Sequence, residues 1–233
     1  MKEITIEPIA HIYNSFVDKF GIPRQSNLIS DLQSTIVFVN KYRDENAVRG
    51  LEEYSHIWLI WHFSDTDSKK EWSATVRPPR LGGNKRVGVF ATRSPFHPNR
   101  IGLSCVKLEC VEKSENDGIV LRVSGADLMN GTPIFDIKPY LSFTDSHPDA
   151  VCGFADTVLD YELEVFVPEN LEKTVKKNIM CNIIDILKQD PRPSYHNDPE
   201  RIYGISYAEY NIKFRVDKNK LFVESITKMN VGE

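Results

Sequence analysis

The side chains that could do chemistry in this 233-residue chain sit in a few proline-stiffened stretches. Arg24 and Gln25 follow Pro23 in one loop, and Arg77 and Arg80 bracket a Pro-Pro pair. The stretch Arg86 to Ser104, RVGVFATRSPFHPNRIGLS, carries Arg93, Ser94, His97, Asn99 and Arg100 around Pro95 and Pro98. Each proline fixes φ and biases the residue before it toward extended backbone, so the donors are held in place before a ligand arrives. Preorganised donors lose less entropy on binding, and a mere connector has no use for that stiffness. Two further segments add carboxylates: Asp127-Leu128-Met129-Asn130-Gly131, and Asp136 shortly before Lys138 and Tyr140. A site with both signs suits a zwitterionic or cationic ligand as well as an anion. Asp127 reads equally as the cap of the turn it starts, and Asp136 as the partner of a nearby arginine.

Charge sharpens this picture. The chain has a net charge of −4, yet Arg77 to Lys107 holds seven basic residues and no Asp or Glu. Such a basic island in an acidic chain is an electrostatic footprint for an anion, sized for a few phosphates or a carboxylate. Familiar motifs are absent. Gly83 to Gly88 has phosphate-loop spacing, but Val89-Phe90 stands where Lys-Ser/Thr is required. No GxGxxG opens a helix, and neither HExxH nor GxSxG occurs. His56 and His62 lie about 20 Å apart along an extended strand, too far to share a ligand. The four cysteines have no zinc spacing and read as reduced, mostly buried thiols. With no apolar run of membrane-spanning length and no signal peptide, a cytoplasmic protein without membrane contact is expected.

The elements that must position these groups are mainly strands. Expected strands are Glu3 to Ile9, Ser34 to Asn40, Ser55 to Phe63, Val87 to Ala91, Leu103 to Val111, Ile119 to Ser124 and Ile134 to Ile137. Ser55 to Phe63 (SHIWLIWHF) is apolar on both faces and reads as a central strand. Asp117-Gly118 marks a hairpin turn. Beyond about Asp156 the pattern changes to a strand (Tyr161 to Val167), a helix (Asn170 to Gln189) with apolar residues every four positions, and two closing strands. The first of these, Ile202 to Val216, changes apolar parity between Tyr207 and Tyr210, which suggests a bulge. The expected fold is therefore mainly β: a single-sheet β-barrel domain over 1–155 and a small α+β domain over 156–233.

At this point a resemblance emerges. PRQ (Pro23 to Gln25), GLEEYSHIW (Gly50 to Trp58), RPPRLGGN (Arg77 to Asn84), GVFATRSPFHPNRIGLS (Gly88 to Ser104), GADLMNGTPIFDIKPYL (Gly125 to Leu141) and DPRPSY (Asp190 to Tyr195) occur in that order. Together they resemble the TrmO family of S-adenosylmethionine-dependent tRNA methyltransferases. The resemblance implies methyl transfer to N6 of the threonylcarbamoylated adenosine beside the anticodon. It also implies a homodimer with the site at the interface and the tRNA anticodon stem-loop as partner. Matched block by block, it assigns the cofactor to Pro23, Arg24, Gln25, Ser64, Asp65, Arg93, Leu103, Asp127, Leu128, Met129, Asn130 and Gly131. Four positions depart from the family pattern: His97 replaces an arginine, Arg100 a frequent proline, Ser64-Asp65 a His-Gln pair, and Asn130 an aspartate.

The chemistry of the reaction extends the assignments. Adenine N6 is a poor nucleophile, and its ureido substituent makes the N6 proton more acidic, so a base can help. Asp136 is the candidate base, with Lys138 and Tyr140 orienting the substrate. Arg93 is the candidate for reading the threonyl carboxylate through a guanidinium fork. Arg77, Arg80, Arg86, His97, Asn99, Arg100, Arg192 and Tyr195 are the candidate RNA contacts, with Tyr140 or Tyr195 as stacking platforms. Two other readings stay open: a non-catalytic RNA- or nucleotide-binding barrel, and the same fold methylating another substrate.

Overall fold

A computed structural model describes residues 3–64, 72–78, 85–158, 161–192 and 198–229. The first part of the chain contributes β1 (Ala10–Tyr13), β2 (Gln33–Phe38), β3 (His56–His62), β4 (Thr75–Val76), β5 (Val87–Gly88), β6 (Ile101–Ser114), β7 (Gly118–Ser124) and β8 (Pro133–Pro139). Six of these close on themselves as a barrel in the order β1-β2-β7-β6-β3-β8, while β4 and β5 pair separately. Period-two alternation decides which side chains go inside. On β3, Ile57, Leu59 and Trp61 are buried, whereas His56, Trp58, Ile60 and His62 are half-buried on the outer face. This strand pairs with β6 on one side and β8 on the other, the central position that its two apolar faces require. The interior is filled by Ile12, Ile36, Leu59, Val106, Leu121 and Ile134, each fully buried. Burying a side chain of that size contributes about 1.5–3 kcal/mol.

Trp61 is the largest inward-facing side chain on β3, and its register partner on β6 is Gly102. A Cβ at Gly102 would lie 2.2 Å from the indole ring, so glycine is what leaves room for it. The barrel's packing thereby fixes the position of the indole nitrogen.

The rest of the chain contains α1 (Ser142–Asp145), β9 (Glu164–Phe166), α2 (Glu169–Glu172), α3 (Lys177–Lys188), β10 (Tyr203–Tyr207), β11 (Tyr210–Asp217) and β12 (Lys220–Lys228). The last three strands and β9 form a sheet in the order β10-β11-β12-β9, with β9 parallel to β12. Met180, Ile183, Ile186 and Leu187 of α3 pack with Ile205, Ile212, Phe214 and Leu221 in a second core. Phe16, Ile29 and Leu32 join that core from the connection between β1 and β2. The connection is tied down further by the Ala208 N–H, which donates to the Ser15 carbonyl at 2.9 Å. The loop that carries Pro23 to Gln25 is thus built partly by the C-terminal part of the chain.

Several expectations are corrected. Residues 3–9 form no strand, and Ile4 and Ile6 are 84% and 55% exposed, because no sheet face lies beneath them. Val87 to Ala91 is a strand for two residues only, followed by a 3-10 turn over Val89–Ala91. The helix expected over 170–189 is split into α2 and α3, with no helix over 173–176. The parity change after Tyr207 is a two-residue hairpin turn with Ala208 at φ 51°, and the register shift falls instead between Lys213 and Phe214. Cys110, Cys152 and Cys181 are exposed rather than buried. Among the described residues, no helix is long and apolar enough to cross a membrane.

Candidate functional site

The alternation of β6 puts Gly102 and Ser104 on the inner side of the barrel and Leu103 on the outer side, where it is 48% exposed. Ser104 is almost fully buried, and its hydroxyl accepts from the Trp61 indole N–H at 3.0 Å. Its own proton is then directed to the Asp127 carboxylate, at 2.5 Å. Burial pushes the Asp127 carboxyl above its usual range, against hydrogen bonds from Ser104 and the Ser26 N–H and the positive charge of Arg93. A half-buried carboxylate held this way costs stability, and such costs collect at functional sites.

Two loops meet over Asp127. In the first, Pro23 is buried and Arg24 donates through Nη2 to the backbone carbonyls of Asp190 (3.2 Å) and Arg192 (3.5 Å). Gln25 donates through Nε2 to the Arg24 carbonyl at 2.6 Å, and its Oε1 accepts from Arg93 Nη1 at 2.7 Å. Asn27, at φ 63°, donates its side-chain amide to the Cys105 carbonyl and its backbone N–H to the Gly125 carbonyl. The second loop follows β7. Asn14 binds it twice, with Nδ2 to the Leu128 carbonyl (2.8 Å) and its backbone N–H to Asn130 Oδ1 (3.0 Å). Asn130 and Gly131 return backbone N–H bonds to the Phe16 and Ile12 carbonyls. Asn130 therefore acts as an acceptor without carrying a charge. The Leu128 side chain points into the barrel core at 1% exposure, so only its backbone faces the site.

The basic loop is held by its own polar groups. Thr92 Oγ1 donates to the Val89 carbonyl, the Ser94 N–H donates to Thr92 Oγ1, and the Phe96 N–H donates to Ser94 Oγ. His97 Nε2 lies 2.9 Å from the Thr92 carbonyl with its ring edge-on to Phe90, so this imidazole knits the loop rather than standing out from it. Arg100 sits in the left-handed region at φ 51°, closing the turn before β6.

The catalytic candidates lie on the outer face. Asp136 is ion-paired to Lys138 at 2.7 Å, and Tyr140 packs against Trp58 and His56. Asp136 is level with Leu103, because both pair with Ile60, one on each side of β3. Of the remaining RNA candidates, Arg77, Arg86 and Asn99 are exposed, with Arg86 Nε bonded to Thr75 Oγ1 at 2.9 Å. Ser64 is exposed, while Asp65, Arg80 and Tyr195 lie outside the described residues. Arg192 differs from expectation. It is 9% exposed and grips Asp190 through Nε (2.9 Å) and Nη2 (3.2 Å), an internal ion pair rather than a surface charge.

Sequence reasoning did not single out Trp61, Ser104, Asn27 or Asn14. A signal existed for one of them: Ser104 is a polar residue at an inward-facing strand position, and buried polar groups call for a partner. Among the described residues, no group of His, Cys, Asp and Glu could hold a metal ion. A cavity of about 540 Å³ over β1, β2 and β7, lined by His11, Tyr13, Arg43 and Arg122 among others, shares no residue with this site. The site itself is an open surface with a recessed carboxylate beside a guanidinium. It can hold a ligand of both charges without metal or covalent chemistry from the protein.

The chain is similar to known proteins along most of its length. Residues 11–146 match the family description tRNA-methyltransferase O N-terminal domain, and residues 162–229 match the TrmO C-terminal domain. The tRNA (adenine(37)-N6)-methyltransferase of Escherichia coli is 39% identical over 224 residues, covering 93% of this chain and 94% of that one. A Pseudomonas aeruginosa protein whose name places it among S-adenosylmethionine-dependent methyltransferases is 35% identical over 224 residues, with the same shares covered. The crystal structure of TrmO from Pseudomonas aeruginosa superposes with a TM-score of 0.77 at 30% identity, covering 98% of each chain. The chain belongs to the TrmO family.

Proposed function

We propose that this protein transfers a methyl group from S-adenosylmethionine to N6 of the adenosine at tRNA position 37, in its threonylcarbamoylated form. The observation that carries the reading is the recessed Asp127 at the meeting of the Pro23–Asn27 loop, Ser104 and Arg93. Family membership makes S-adenosylmethionine the cofactor and tRNA the substrate class. When bound, the cofactor supplies an electrophilic methyl on a sulfonium. The donor set fits it: a carboxylate for its cationic groups, a guanidinium for its carboxylate, and backbone from Leu128 to Gly131 beside them. Pro23, Arg24, Gln25, Ser64, Leu103, Met129 and Asn130 would complete the binding surface.

The protein's own work is positioning and proton handling. In-line approach makes orientation a large share of the rate. Asp136, held by Lys138, takes the N6 proton as the nitrogen acquires carbon, and Tyr140 stacks on or beside the base. The other basic and polar groups of the Arg93 loop, Asn99 and Arg100 among them, read the threonyl carboxylate and neighbouring phosphates. Phe90, Phe96 and Ile101 are 74%, 44% and 41% exposed beside this surface, which supports a homodimer in which a second copy covers them.

The test uses labelled cofactor and two tRNA pools, one from normal cells and one from cells lacking threonylcarbamoylation. Transfer to the first pool alone is expected. Arg93→Lys is expected to reduce transfer to the modified pool by about 10–100-fold, the loss of a bidentate charged hydrogen bond. Transfer to neither pool by the unaltered protein would mark a binding module, and equal transfer to both would remove the threonylcarbamoyl requirement.

A further inference from the structure

The C-terminal part of the chain reaches the cofactor loop through a buried ion pair. Asp190 and Arg192 are 7% and 9% exposed, and they form a two-point pair with a third contact from the Tyr161 hydroxyl to Asp190 Oδ2 at 2.8 Å. Asp190 stands just past α3 at φ 50°, a left-handed position at a helix end where glycine is the usual residue. An aspartate there accepts backbone strain, and its carboxylate is spent entirely on Arg192 and Tyr161. Buried ion pairs add little net stability because desolvation offsets the attraction, whereas they can specify one conformation. What this pair specifies is the path of the backbone from Asp190 to Arg192. The carbonyls of those two residues are the acceptors for Arg24 Nη2.

From Arg24 the connection continues without a gap. The Arg24 carbonyl accepts from Gln25 Nε2, which orients the amide so that Oε1 faces Arg93. Arg93 in turn acts electrostatically on Asp127. We propose that Asp190, Arg192 and Tyr161 are positioning residues for the cofactor site, acting through Arg24 and Gln25 to hold Arg93 opposite Asp127. The proposal rests on the reading of this loop as the cofactor site. It gives the C-terminal part of the chain a role in cofactor affinity, independent of any contact with RNA.

The experiment is calorimetric titration of the full-length chain with S-adenosylmethionine, without tRNA and well below the melting temperature, alongside steady-state kinetics. Arg192→Lys keeps the charge but loses the planar fork. It is expected to weaken cofactor binding about tenfold, the scale of one charged hydrogen bond. The KM for tRNA and kcat at saturating cofactor are expected to stay within about twofold. Tyr161→Phe, which removes a single hydroxyl, is expected to weaken binding in the same direction by a smaller factor and provides the answer if Arg192→Lys does not fold. A purely structural role would lower the melting temperature and leave the folded variants' affinity unchanged, which overturns the proposal. Raised KM for tRNA with intact cofactor affinity also overturns it, in favour of an RNA contact. Gln25→Ala separates the two levels of the argument. If it weakens cofactor binding while Arg192→Lys and Tyr161→Phe do not, only the positioning role fails. If none of the three does, the reading of the loop fails with it.

Discussion

Replacing Asp127 by asparagine is expected to weaken S-adenosylmethionine binding by about 10–100-fold, the loss of a charged partner in a desolvated site. Asparagine keeps the shape and an acceptor for the Ser104 hydroxyl, so the Trp61-Ser104 contact should persist. Stability carries a second signature. Burial raises the carboxyl above its ordinary value of 3.8, so the folded chain holds this proton more tightly than the unfolded chain does. Stability from this group is therefore greatest below the ordinary value and is lost as pH rises through the raised one. Above that window the folded protein bears the full desolvation cost of the carboxylate. Melting curves of the two proteins from pH 4 to pH 8 should accordingly shift in favour of the asparagine variant as pH rises. Undiminished cofactor affinity would remove Asp127 from the site.

Gly125→Ala is expected to be among the most disruptive single-methyl changes in the molecule. Gly125 lies at φ 76°, which costs an L-residue about 1–2 kcal/mol. The new Cβ would also sit 2.4 Å from Asn27 Oδ1 and 3.3 Å from the Asn27 backbone. Overpacking against Asn27 adds about 1–3 kcal/mol, for a total of about 2–5 kcal/mol in urea unfolding. The loop that must move is the one carrying Gln25, so cofactor affinity should fall together with stability. A second change, Asn27→Gly, removes the obstructing amide and tolerates Asn27's own left-handed conformation. It should restore part of both losses when added to Gly125→Ala. No recovery would mean that the backbone strain at Gly125, not its approach to Asn27, is what matters.

What could be read from the chain alone follows the range of the forces involved. The alternation of SHIWLIWHF marked β3 as a central strand, because side-chain parity is local and both faces of that run are apolar. The Asp117-Gly118 turn was legible for the same reason: its chemistry is in the residues themselves. The hairpin between β10 and β11 looks like a bulge in the sequence, since Ala208-Glu209 carries no glycine, asparagine or proline to announce a turn. Pairing in the folded sheet forces Ala208 into the left-handed region, a tertiary decision. The break between α2 and α3 also lacks a glycine or proline, and the apolar stripe runs on through it. Phe16, Ile29 and Leu32 fall within the 1–155 stretch expected to be the barrel domain, yet they fill the second core.

The site divides in the same way. Its loops were found from proline, arginine and aspartate in short runs, and the resemblance assigned them to a cofactor. Their contacts were not legible. Arg192 looked like an exposed RNA ligand because its surroundings in sequence are polar and proline-rich, while its partner Asp190 and the buried position emerge only on folding. His97, the least expected residue of the basic loop, turns inward to the Thr92 carbonyl and braces the loop rather than presenting a group outward.

The central claim is methyl transfer to a specific nucleoside. Nucleoside mass spectrometry after incubating the protein with S-adenosylmethionine and tRNA from normal cells addresses it directly. The predicted result is threonylcarbamoyladenosine heavier by one methyl, with the added mass on the N6 side of the base and all other nucleosides unchanged. Methylation of a different nucleoside, or none with folded protein and bound cofactor, would contradict it.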